Sequence, residues 1–398
     1  MTGGQWKARR SHPRLPDPAR ACIGCHDGTA FEPGAREVTE RRKSLVLLTA
    51  SVCLMLLFCE TALRLWHGRS PLDFTNARSR PARPFDLFGM GRYDSLLGWV
   101  LKEHLDTPQI RTVEHGIRSN SAAQTAMRAG HILAVGSSFT SGAEVADDQS
   151  WPAQLERLTG SPVDNAAVGG YALDQIVLRA EQLLPVARPR VLLIGAMESV
   201  IEWSGYAITM NPKPFFTVEH GTLLAHNIPV PTLEQALPFE PAIKVLSYSH
   251  VIDRVMARID PGGRYSRRVP AQNDAVDVSC RLLQRLKQET DRLEIRAVLV
   301  SEIWAPDVMS ADAPPPRLAQ VLGCARGMGY PIIDTFSAFR AEYKADPGRF
   351  NAYYLTNKAG SLTHFSESGN RRVAELVAAA LAVAPSPAER PKDPQSGR

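Results

Sequence analysis

The longest apolar feature of the chain is an uncharged run from Ser44 to Cys59, SLVLLTASVCLMLLFC, with an apolar shoulder through Ala62, Leu63 and Leu65 to Trp66. Counted to Trp66, the stretch is long enough for a bilayer, which takes roughly 20 residues at a rise of 1.5 Å each. Beyond it the pattern changes to short β-rich runs alternating with helical stretches. His131–Gly136, Val163–Ala166, Val191–Ile194, Ile295–Val300 and Tyr330–Ile333 read as strands. Trp151–Leu158, Leu173–Leu184, Ala275–Arg292, Arg317–Met328 and a last segment from Ser366 through Leu381 read as helices. Strands this apolar, separated by helices, predict a parallel sheet covered on both faces. Gly205–Pro241, rich in Pro and Phe, reads as an insertion after the third strand.

Charge changes the picture at the N-terminus. The chain has 398 residues and a formal net charge of +5. Residues 1–43 hold nine bases and five acids, so the leader carries +4 and the other 355 residues only +1. That balance gives no reason to expect a nucleic-acid partner. Arg41-Arg42-Lys43 directly before the apolar run predicts a signal anchor whose leader stays in the cytoplasm. Cleavage would need small residues at the exit, and Phe58-Cys59-Glu60-Thr61-Ala62 is a poor site. The expected organisation is a disordered basic leader (1–43), a transmembrane anchor (44–66), a linker (67–92), one large α/β domain (93–384) and a disordered tail (385–398). The large domain is then expected on the periplasmic or extracytoplasmic side of the inner membrane.

Six cysteines add two questions. Cys22-Ile23-Gly24-Cys25-His26 has the spacing of c-type haem attachment, but lies on the cytoplasmic side by the charge rule, with no haem-sized domain around it. A metal-binding tract, a chance match and a misassigned start codon are its other readings. Cys280 and Cys324 fall on helices flanking one strand; a disulfide and two free buried thiols are both compatible with that placement.

The chemistry-bearing residues gather at one predicted edge of the sheet. The first strand runs into Gly136-Ser137-Ser138-Phe139-Thr140-Ser141-Gly142, a small-residue turn where open α/β folds bind ligands. Ser138 is there the candidate nucleophile. Thr363-His364-Phe365-Ser366 precedes the last helix, and a loop at that point returns to the same edge, making His364 the candidate general base. Gly169-Gly170 and Gly195 follow the second and third strands, where tight turns aim backbone N–H groups at an oxyanion.

Taken together these segments resemble the SGNH (GDSL-type) hydrolase superfamily, from about Tyr93 to Ala384. Leu97-Gly98-Trp99-Val100 and His115-Gly116-Ile117-Arg118-Ser119-Asn120 look like the lead-in of its membrane-anchored members. Ile132–Gly142 with Trp151–Leu155 is similar to the first block, Asn165–Tyr171 to the second, and Thr363–Gly369 to the last. The resemblance implies a five-stranded parallel sheet of flavodoxin-like order, sandwiched between helices. It implies Ser138 as nucleophile, His364 as base, Ser138 and Gly170 as oxyanion donors, and no cofactor or metal. Three positions depart from the pattern. Ser137 replaces the Asp before the nucleophile. Met197 and Glu198 stand near the usual oxyanion Asn, and an ionised Glu198 there would oppose catalysis. Ser361 occupies the position of the Asp that orients the His, leaving Ser361, a backbone carbonyl or Glu367 to serve.

The expected function is therefore a membrane-anchored ester hydrolase using a serine acyl-enzyme, acting on acylated small molecules, glycans or lipids by deacylation or transacylation. The alternative is an SGNH-fold protein with impaired catalysis that binds a glycan or an envelope partner. A c-type haem protein is the third reading.

Overall fold

The computed structural model describes residues 35–66, 70, 89–209, 211–236, 248–259 and 269–383. The Cys22-Ile23-Gly24-Cys25-His26 motif, nearly all of the expected linker before Gly89 and the tail from Pro385 lie outside these residues. The chain divides into two units, residues 1–61 and 62–398.

All described residues of the first unit belong to helix α1 (Ala35–Trp66), which runs a few residues past the unit's end. It begins at Ala35, well before the expected start at Ser44, so the end of the basic leader is helical rather than disordered. The reason is local: Ala35–Lys43 contains no Gly or Pro and is rich in Glu, Arg and Lys, all good helix formers. Arg41–Trp66 is long and apolar enough to cross a membrane, and its apolar 18-residue stretch has mean hydropathy 2.2 with none of it buried by protein. Leu45, Leu48, Leu54 and Phe58 are all more than half exposed.

The second unit is built on a five-stranded sheet: β1 (Ile132–Val135), β2 (Val163–Asn165), β3 (Val191–Ala196), β4 (Arg296–Ser301) and β5 (Ile332–Ile333). All neighbours pair in parallel, in the order β2-β1-β3-β4-β5, which is the flavodoxin-like order. Leu133, Leu193, Val298 and Leu299 are completely or almost completely buried, as strands covered on both faces require. The helices that cover them begin and end close to where the apolar periodicity places them: α3 (Trp151–Thr159), α4 (Leu173–Ala187), α5 (Ala275–Arg292), α6 (Pro316–Gly327) and α7 (Glu367–Val383), with the short α2 (Ser138–Ser141) leaving the tip of β1. Ser150 caps α3 by accepting from the Ala153 N–H, and Asp274 caps α5 by accepting from Val276 and Asp277. Cys280 on α5 and Cys324 on α6 form a disulfide, with Cα atoms 6.1 Å apart. Of the two readings left open for these cysteines, the bonded one holds.

Elements too short to leave a periodic signature complete the unit. The antiparallel pair β6 (Tyr354–Thr356) and β7 (Leu362–Phe365) forms a hairpin ahead of α7. His364 thus stands on a strand, not in the loop expected for it. The insertion contains a second hairpin, Phe215–Glu219 with Thr222–His226. It is anchored by Lys213, whose ammonium is fully buried against Asp174 in the first turn of α4 and also donates to the Pro214 carbonyl.

Candidate active site

At the tip of β1 the chain passes through Gly136 and Ser137 into α2, which places Ser138 at the carboxyl edge of the sheet, partly exposed. The hairpin β6–β7 brings His364 to the same edge from the far end of the sequence. His364 Nε2 lies 2.9 Å from Ser138 Oγ. The other ring nitrogen, Nδ1, lies 2.8 Å from Glu144 Oε2. With Nδ1–H donating to the carboxylate, Nε2 is left as the acceptor for the serine hydroxyl, the tautomer a general base needs. Phe139 and Trp304 pack on the imidazole, with ring centroids at 5.1 and 6.1 Å. The chain of contacts Ser138–His364–Glu144 is a Ser–His–acid triad.

Glu144 is the member that sequence reasoning missed. It follows the nucleophile by six positions, on the turn after α2, and its backbone is left-handed with φ 68°. Gly142, two residues earlier, is also left-handed at φ 75°. A non-glycine residue in this region is strained, and such strain gathers at functional sites. Here it turns the carboxylate back toward the imidazole. Glu144 is about half exposed, so it interacts with the ring across a water-rich medium, and the Thr363 hydroxyl lies 3.3 Å from the same oxygen.

Three residues considered from the sequence take no part in this contact chain. Ser361 is exposed in the β6–β7 turn, where its N–H donates to Asn357 Oδ1 and its carbonyl accepts from the Asn357 N–H. The tight hairpin absorbs the position that would otherwise carry the orienting acid. Glu198 opens a short helix after β3 and turns away to an ion pair with Arg317 at 3.0 Å, also accepting from the Leu318 N–H. Its charge is neutralised there, so it neither donates to an oxyanion nor repels one. Glu367 accepts from Gln149 Nε2 at 2.9 Å, and so is engaged elsewhere.

The remaining oxyanion candidates are backbone groups. The Val168 N–H donates to the Gly136 carbonyl, which lays the segment leading to Gly169-Gly170 beside the nucleophile turn. Gly170 has φ 81°, a conformation that favours glycine. Among the described residues no hydrogen-bond partner is present for the Ser138 or Gly170 N–H.

Beneath the turn lies a second acid. Glu302, just past β4, is fully buried and accepts from Thr140 Oγ1 at 2.6 Å and Trp151 Nε1 at 3.0 Å. Burial, only partly offset by these two bonds, raises its carboxyl to about 7. Gly195 serves this arrangement, since a Cβ there would stand 2.1 Å from Thr140 Oγ1 and 2.9 Å from Glu302 Oε2. Room for the Thr140–Glu302 contact, and not an oxyanion N–H, is what this glycine provides.

Elsewhere on this unit an open, mostly apolar groove of about 550 Å³ is lined by Pro306, Met309, Tyr343 and Leu362 among others, and by none of Ser138, Glu144 and His364. Leu362 and His364, two apart on β7, share one face of the strand. Among the described residues no group of three or more His, Cys, Asp or Glu side chains is placed to hold a metal.

No protein-family profile and no curated protein matches the chain. Among solved structures, it is similar to a protein assigned to the lipolytic G-D-S-L family from Desulfitobacterium hafniense DCB-2, at 11% identity and TM-score 0.33 over 63% of this chain and 98% of that one. It is similar to the acetyl xylan esterase AlAXEase at 12% identity and TM-score 0.37, over 63% and 99% of the two chains. A lipase/acylhydrolase from Enterococcus faecalis gives 12% identity and TM-score 0.36, over 63% and 95%.

Proposed function

We propose that this chain is a membrane-anchored, SGNH-type ester hydrolase working through an acyl-enzyme on Ser138. The observation that carries the proposal is the continuous contact chain from Ser138 Oγ to His364 Nε2 and from His364 Nδ1 to Glu144. Ser138 Oγ attacks the ester carbonyl carbon while His364 Nε2 takes the hydroxyl proton. The N–H groups of Ser138 and Gly170 receive the developing oxyanion. As the tetrahedral species collapses, His364 returns the proton to the leaving alcohol oxygen and the acyl group stays on Ser138. Water, or a sugar hydroxyl in a transacylation, then gives its proton to Nε2 and attacks the acyl carbonyl; as the acyl–Oγ bond breaks, Nε2 returns that proton to Ser138 Oγ, releasing the acid or a new ester.

The leaving alcohol lies on the His364 side, and the substrate class is an acylated small molecule, glycan or lipid. The apolar helix behind Arg41-Arg42-Lys43 supports anchoring in the inner membrane with the second unit outside the cytoplasm. The Cys280–Cys324 bond is of a kind that persists in an oxidising compartment. The reading of a non-catalytic binding protein draws its support from the missing oxyanion Asn and the missing orienting Asp; Glu144 stands in for the second, and the first is left to backbone N–H groups.

The test is labelling of the detergent-extracted full chain with a fluorophosphonate. Wild-type protein is expected to be modified at Ser138, and Ser138→Ala and His364→Ala to remain unmodified. Folded wild-type protein that resists labelling would overturn the proposal in favour of a binding role.

A further inference from the structure

The nucleophile and its orienting acid ride on one stretch of backbone, Ser137 to Val145, and a single buried side chain grips that stretch from below. Arg118 is 2% exposed. Its Nη1 donates to the carbonyls of Ser141 and Gly142, both at 2.6 Å, and its Nη2 donates to the carbonyl of Val145 at 2.7 Å. Its Nε is paired with Asp147 at 2.9 Å, and Asp147 is held in turn by the Arg111 side chain at 3.0 Å. The three gripped carbonyls bracket Glu144 on both sides. The Arg118 backbone is itself fixed, its N–H donating to the Asn165 carbonyl at 2.8 Å, on the strand that leads to Gly170. Asn165 Nδ2 adds weaker contacts to the Thr140 and Ser141 carbonyls at 3.3 and 3.4 Å.

Left-handed backbone at a glutamate is unfavourable on its own and persists only where its surroundings impose it. A rigid, planar fork with donors in fixed directions imposes it on several carbonyls at once. A lysine ammonium, a point charge on a flexible stem, does not. We propose that Arg118 is a positioning residue of the triad: by clamping the Ser141, Gly142 and Val145 carbonyls it fixes the turn that sets Glu144 against His364 Nδ1. This rests on the triad reading above. Of the groups packed against the imidazole among the described residues, Ser138, Phe139, Trp304 and Glu144, only Glu144 is charged. The clamp therefore governs the electrostatic arm of the triad, and its loss should resemble the loss of Glu144 itself.

The experiment is a double-mutant cycle between Arg118→Lys and Glu144→Gln on the full chain. It is read by the fluorophosphonate labelling rate and by the far-downfield proton resonance of His364 Nδ1–H. Arg118→Lys keeps the charge and the stem and loses the fork. It is expected to slow labelling about tenfold or more, with cooperative melting retained, and to weaken the downfield signal. Combined with Glu144→Gln it should add almost nothing, because both changes cut the same link. A folded Arg118→Lys protein that labels at the wild-type rate, or two losses that multiply, would overturn the proposal. Should Arg118→Lys fail to fold, Asp147→Asn decides: it loosens the clamp at Nε, is expected to slow labelling less, and on the Glu144→Gln background should be silent. A wild-type labelling rate in Asp147→Asn would count against the clamp. If wild-type protein itself is unlabelled, the ester-hydrolase reading fails, whereas the His364 resonance still reads whether Arg118 holds Glu144 in place.

Discussion

The turn after β1 has two sides, each furnished with a glutamate. On the outer side Glu144 is about half exposed and faces His364; on the inner side Glu302 has no exposed surface and faces Thr140 and Trp151. Water decides what each can do. The outer carboxylate, open to water and in contact with the ring, is placed to support an imidazolium that forms only during turnover. The inner one is costly to ionise, and its two hydrogen bonds tie α2 to β4 and α3, building the floor on which the outer one stands. The same side chain is thus a reaction partner on one face and a fastening on the other.

Breaking the outer side at its centre has the largest expected effect. Ser138→Ala and His364→Ala should each lower turnover of a small ester by a factor on the order of 10⁴ or more, as in serine proteases. Glu144→Gln should cost less, about tenfold to a thousandfold. A charge pair near 4 Å in a solvated site is worth about 1–4 kcal/mol, below the ~10⁴ loss seen when a buried orienting acid is disabled. Steady-state kinetics should show this loss in kcat with KM almost unchanged.

Changes to the inner side should appear in stability. Gly195→Ala puts a methyl group against Thr140 and Glu302, and overpacking of this kind costs about 1–3 kcal/mol; thermal melting should register it. Glu302→Gln should instead alter pH dependence. With the Glu302 carboxyl raised from 4.5 to about 7, the unfolded chain releases this proton at lower pH than the folded chain does. Folding stability therefore falls as pH rises between those values, by about 3 kcal/mol in all. Asp164, raised by burial from 3.8 to about 6, contributes in the same direction lower down. Melting temperatures should fall toward neutrality in the wild type, and Glu302→Gln should remove the part of the slope above about pH 6. Smallest of all, Ser361→Ala should change neither rate nor melting, since its side chain touches neither His364 nor the core.

Much of this was legible in the sequence, for identifiable reasons. Val191-Leu-Leu-Ile194 and Ile295–Val300 declare buried strands because a sheet covered on both faces permits no polar alternation. Ser138 and His364 are legible because a small-residue turn at a strand's end and a His ahead of a helix are local patterns. Glu144 is not, since its role depends on a left-handed backbone fixed by Arg118, a residue distant along the chain. The one available signal was Gly142, which marks a sharp turn shortly before it. Ser361 misleads for the complementary reason: a hairpin with strands of three and four residues is too short to announce itself, and it carries that position away from the imidazole.

The order of the triad along the chain has a consequence for biosynthesis. Ser138 and Glu144 are made within a few residues of each other, whereas His364 follows Glu144 by 220 positions, on a hairpin. A nascent or truncated polypeptide that stops short of this hairpin holds Ser138 without His364 beside it. On the proposed reading Ser138 gains its base only when that hairpin has docked, so folding itself sets when the site becomes reactive.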